Sequence, residues 1–171
     1  MRRFAAFVMA VAAFGTAAAQ LGPALDPALR RALAPVLSQW IASTRDAILE
    51  LGAEEIPREI RDALTGFVPD DVLDEVRWRA DEGVLSVQQS LFRLGYTPAV
   101  TLDHVVVFAT SAHALDDPAL WAHELYHVMQ YREWGVEGFA ARYLEDYAAV
   151  EHEAAEFRWR WMQATGRVPA P

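Results

Sequence analysis

The chain has 171 residues, 53% hydrophobic and 23% charged, with 24 acidic residues against 15 basic ones, a net charge of −9 and no cysteine. That length holds one domain with a real core, and the composition is that of a globular protein, not a disordered or fibrous one. The acidity argues against a nucleic-acid partner, and the missing cysteines exclude disulfides, thiolate metal sites and cysteine nucleophiles.

Arg2 and Arg3 precede an uncharged apolar run from Phe4 to Phe14, and Ala17-Ala18-Ala19 fits the small-residue cleavage rule. The three parts read as a signal peptide over residues 1–19, with Gln20 as the mature N-terminus. The run is shorter than the roughly 20 residues a bilayer span needs. The expectation is therefore a periplasmic or secreted bacterial protein with no membrane span left after processing.

Gln20 to Pro27, broken by Pro, Gly and Asp, reads as loose. Leu29, Leu33, Val36, Leu37, Trp40, Ile41, Ile48 and Leu51 recur at helical spacing until Gly52, which makes residues 20–54 an N-terminal helical segment. Pro57 opens a short helix through Ile60 and Leu64 to Gly66, and Pro69 opens another with Val72 and Leu73 inward. Val76-Arg77-Trp78-Arg79 alternates as a half-buried strand, Asp81-Glu82-Gly83 is a turn, and Ser86 to Leu94 reads as a short helix. The β-branched residues from Val100 to Phe108 predict one strand over about 100–109, with His104 on it. His113 falls in a polar loop. Asp117 and Pro118 predict the start of a helix that runs to about Trp134 and ends at Gly135. A last helical region runs from Glu137 to about Thr165, bent near Asp146. The fold class is α+β, a single domain with helices dominant.

Residues 123–127 read His-Glu-Leu-Tyr-His, an HExxH motif inside the predicted helix from Pro118. Residues four apart share a helix face, so His123 and His127 can offer two imidazoles to one metal. Glu124 lies about 100° round the helix, placed to act as general base on a water without being a ligand. This is the donor set of a zinc hydrolase, with Zn2+ as the expected cofactor. Chance supplies the motif about once per hundred chains of this composition, so its context matters. Leu120, Trp121, Leu125, Val128 and Met129 surround it, and two histidines and a glutamate buried together are costly unless paired or metal-bound.

A catalytic zinc site has three protein ligands and an open position. Gln130 and Glu133 stand where a metzincin needs Gly and His. The following helix offers Glu151, His152, Glu153 and Glu156. At about 100° per residue, Val150, Ala154, Phe157 and Trp161 define one buried face. Tyr147, Ala140, Leu144 and Ala155 extend it past Glu151, whereas Glu153 falls among Arg142, Asp146, Glu156 and Arg160. Glu151 is the first choice for the third ligand and Glu153 the second. Tyr143, Tyr147 and His152 are candidate donors to a developing oxyanion.

His123, Glu124 and His127, followed after about 25 residues by Glu151, resemble the gluzincin metallopeptidases. The stretch from Ala122 to Gln130 more closely resembles the core domain associated with extracellular contractile injection systems, with looser likeness through Pro57-Arg58-Glu59-Ile60-Arg61 and Thr101 to Phe108. In that family alanine tends to stand three positions after the downstream glutamate, as Ala154 does after Glu151. An acidic residue often follows it, where this chain has Ala155. The resemblance implies a zincin-like metallopeptidase domain over 55–165, a small sheet beside the active-site helix, and a peptide or protein substrate. The alternative is a non-catalytic, zinc-stabilised structural or interaction module linked to a secretion or injection system.

Overall fold

The structure, a computed structural model, describes residues 26–80 and 97–168. The expected signal peptide, the turn at Asp81-Glu82-Gly83 and the helix expected over Ser86–Leu94 lie outside the described residues.

Helix α1 (Pro27–Glu50) starts earlier than the apolar spacing predicts. Asp26 accepts from the Ala28 amide at 2.7 Å and Pro27 takes the first helical position, so Pro27 belongs to the helix and not to a loose lead-in. The helix stops where expected. Gly52 turns the chain at φ 87, and the Arg79 guanidinium donates to the carbonyls of Leu51 at 2.9 Å and Gly52 at 2.6 Å. Ile41 and Ile48 are buried, but Leu29 and Leu51 at the two ends are 45% and 48% exposed, so the inward stripe is shorter than the pattern suggested.

The two proline-led helices form as α2 (Arg58–Leu64) and α3 (Asp70–Glu75). The sheet contains β1 (Glu54–Glu55), β2 (Arg77–Ala80), β3 (Ala99–Leu102) and β4 (Val105–Phe108), in the order β1-β2-β4-β3. The single strand predicted over 100–109 is a hairpin. Asp103 adopts a left-handed φ of 60 and reverses the chain, so Leu102 pairs with Val105 and Ala99 with Phe108. Arg45 of α1 reaches the Asp103 carboxylate at 2.6 Å, and His104, in the turn instead of on a strand, lies 3.1 Å from the same oxygen. Central β4 pairs parallel with β2 and is buried at all four positions, as a run of Val-Val-Val-Phe requires.

The pleat divides the core. Val106 and Phe108 join Trp78, Trp121, Leu125, Phe157 and Trp161 in one cluster, while Leu102, Val105 and Val107 join Ile41, Ile48, Tyr131, Phe139 and Val150 in another. His113 lies on a short helix, α4 (Ser111–Asp116), not in a loop; its start is capped by Thr110, which accepts from the His113 amide at 3.3 Å.

Helix α5 (Pro118–Glu145) is capped by Asp117, which accepts from the Leu120 amide at 2.9 Å. It breaks at Gly135, where φ is 71 and ψ is 165. The break lets Phe139 fold back onto Tyr131, with ring centroids 3.8 Å apart. Asp146 separates α5 from α6 (Tyr147–Ala164), which gives the bend expected there. The Gly135 backbone lies in a region that a side chain disfavours sterically, and a Cβ there would meet no neighbouring atom, so the penalty for substitution is conformational alone. Gly135→Ala is expected to destabilise the fold by about 1–3 kcal/mol, read as a lowered urea midpoint with an unchanged m-value.

Candidate metal centre

The first half of α5 is buried on most sides, since Leu120, Trp121, Ala122, Leu125, Val128 and Tyr131 all face protein. One turn of this helix places the Nε2 atoms of His123 and His127 3.2 Å apart. Helix α6 buries Val150, Ala154, Phe157 and Trp161, the face read from the sequence, and this phase brings Glu151 to the histidines. Its Oε2 is 3.2 Å from His123 Nε2 and its Oε1 is 3.6 Å from His127 Nε2.

Among the described residues, His123, His127 and Glu151 form a group able to hold a metal ion, with one ligand atom from each within 4.8 Å of the others. Donors about 2.0–2.1 Å from a tetrahedral zinc are separated by about 3.3 Å. The two 3.2 Å spacings, from His123 Nε2 to His127 Nε2 and to Glu151 Oε2, match edges of such a tetrahedron, while the 3.6 Å from His127 Nε2 is to the other oxygen, Oε1; two imidazoles with one carboxylate suit zinc chemically. Burial works to raise the Glu151 carboxyl pKa, but hydrogen bonding and charge from both imidazoles outweigh it and hold it at about 2. Burial likewise acts to lower His127, and Glu151 overrides it and raises the imidazole pKa.

Glu124 is 4% exposed and lies beside the group without joining it. The Thr101 hydroxyl on β3 donates to its Oε2 at 2.7 Å, and the Tyr131 hydroxyl donates to the Thr101 carbonyl at 3.3 Å. Gln130, given no role in the site from the sequence, is buried between His127 Nδ1 and Glu153 Oε2, at 2.8 Å from each. Glu153 thus reaches Gln130 instead of the ligand group. Thr101 and Gln130 are the site residues that sequence reasoning missed. Gln130 carries a signal, since it lies three positions after His127 and on its face. Thr101 carries none, because its partner is 23 positions away.

Of the oxyanion-donor candidates, Tyr143 and Tyr147 stay near. Burial and the Glu151 charge raise the Tyr143 hydroxyl well above its usual range and Tyr147 to about 12, which keeps both protonated as donors. His152 points elsewhere and pairs with Glu156 at 3.4 Å on the exposed side of α6.

Residues 55–135 match the family model of the eCIS core domain. The match is a little under half of the chain. The matched stretch holds the sheet except Glu54 of β1, together with His123, Glu124, His127, Thr101 and Gln130, and it ends at the Gly135 break. Glu151 and Glu153 come from α6, outside it. No curated protein and no solved structure matches the chain.

Proposed function

We propose that this chain is a zinc metallopeptidase in which His123, His127 and Glu151 hold the ion and Glu124 is the general base. The convergence of those three donors beside a buried carboxylate that takes no part in the group carries the reading. A zinc ion supplies Lewis acidity there, polarising a carbonyl and making water acidic near neutral pH. Thr101 occupies Glu124 Oε2, which leaves Oε1 to take the proton from an attacking water. Tyr143 and Tyr147, kept protonated by burial and the Glu151 charge, are the candidate donors to the developing oxyanion.

A peptide substrate fits the surroundings. Among the described residues β3 is an edge strand, paired with β4 alone, and it carries Thr101. Such an edge offers backbone donors and acceptors to an extended chain. The export signal read in the sequence supports action outside the cytoplasm. Among the described residues, no helix is long and apolar enough to cross a membrane.

The match to the eCIS core domain favours a second reading, in which the chain is a module of a contractile injection system and zinc braces α5 against α6. Incubating the zinc-loaded chain with a peptide library separates the two. The peptidase yields new termini that vanish with a chelator and return with zinc. A fully zinc-loaded chain that cuts nothing leaves the bracing role.

A further inference from the structure

We infer that Gln130 is a positioning residue that fixes which nitrogen of His127 faces the metal, with Glu153 and the Val150 carbonyl as its anchors. This rests on the metal-holding part of the reading above and not on peptidase activity.

Gln130 is 2% exposed, so its amide must be satisfied by protein groups. One end of the amide lies 2.8 Å from Glu153 Oε2 and 3.3 Å from the Val150 carbonyl oxygen. Both of those partners are acceptors, so this end is the NH2 group. The other end, 2.8 Å from His127 Nδ1, is therefore the carbonyl oxygen, which can only accept. Nδ1 must then carry a proton and donate it. That leaves Nε2 as the metal-facing nitrogen, on the side of His123 and Glu151.

The hydrogen bonds run from a carboxylate on α6 through Gln130 to a tautomer on α5. It also ties the ligands together, because Glu153 is two residues from Glu151 on the same helix. His123 has no matching support: its Nδ1 is buried without a hydrogen-bond partner among the described residues. His127 is thus the oriented ligand of the pair. Partners that orient a metal-bound imidazole in this way are worth about 10–100-fold in metal affinity.

The test uses the full chain, with zinc affinity read by competition against a chelator and 15N-histidine spectra read on metal-free protein. Gln130→Leu is expected to lose about 10–100-fold in zinc affinity. Gln130→Glu alone also loses affinity, because it sets a carboxylate against Glu153. Adding Glu153→Gln to Gln130→Glu restores a donor–acceptor pair between these two side chains, though not the bond to the Val150 carbonyl, and raises zinc affinity clearly above that of Gln130→Glu alone. A merely structural role does not move the spectra. Wild type and the double variant should show a proton on His127 Nδ1 protected from solvent exchange, and Gln130→Leu should lose that protection.

A bare Nδ1 in the wild-type chain would overturn the inference. So would zinc affinity that is unchanged in Gln130→Leu, or that is no higher in the double variant than in Gln130→Glu alone. A wild-type chain that binds no zinc would instead defeat the metal reading, while the spectra would still decide the role of Gln130.

Discussion

Glu151→Ala is expected to leave the purified chain nearly free of zinc, while Glu153→Ala costs no more than a few-fold in affinity. The two glutamates lie two residues apart on one helix, so they diverge by about 200° and cannot share one metal. Glu151 faces both imidazoles at 3.2 and 3.6 Å, whereas Glu153 faces the amide of Gln130. Losing Glu153 still leaves that amide bound to the Val150 carbonyl. Losing Glu151 leaves two imidazoles, and a two-ligand remnant holds zinc poorly. His123→Ala and His127→Ala should empty the site for the same reason. Elemental analysis after gel filtration measures this, and thermal melting shows that each variant is folded. An empty Glu153→Ala beside a loaded Glu151→Ala would transfer the ligand role.

Glu124→Gln should keep its zinc and lose about 10²–10⁴-fold in turnover, the usual contribution of a general base. The amide matches the carboxylate in shape, and its oxygen can still accept from the Thr101 hydroxyl at the place of Oε2. Packing around this nearly buried residue is thus preserved, and only the ability to take a proton is removed. Matched zinc contents with unequal cleavage rates of a reporter peptide check the assignment. Loss of zinc in Glu124→Gln would make Glu124 part of the metal-holding structure.

The sequence made the site legible where short-range periodicity decides geometry. The His123–His127 spacing follows from one helical turn, and the apolar positions of α6 were enough to phase Glu151 toward the core. Proline and glycine marked α2, α3 and the break at Gly135 for similarly local reasons. What escaped depends on distant partners or on very short elements. The reversal at Asp103 has no glycine to announce it, and Arg45 stabilises it from 58 positions away. Helix α4 spans about one and a half turns, too little for a period to register. Glu153 looked like a solvated charge because its neighbours on α6 are charged. It is exposed, as that reading expects, and its carboxylate also bonds Gln130 on another helix, a contact that a single-helix projection cannot show.

A crystal structure of the zinc-loaded chain, with anomalous scattering recorded at the zinc edge, decides whether His123, His127 and Glu151 hold the ion. One peak is expected, bonded to His123 Nε2, His127 Nε2 and a Glu151 oxygen at about 2.0–2.2 Å, with the fourth position open to water and Glu124 beside it. A peak closed by a fourth protein ligand, or one that lies away from these three residues, would contradict that assignment.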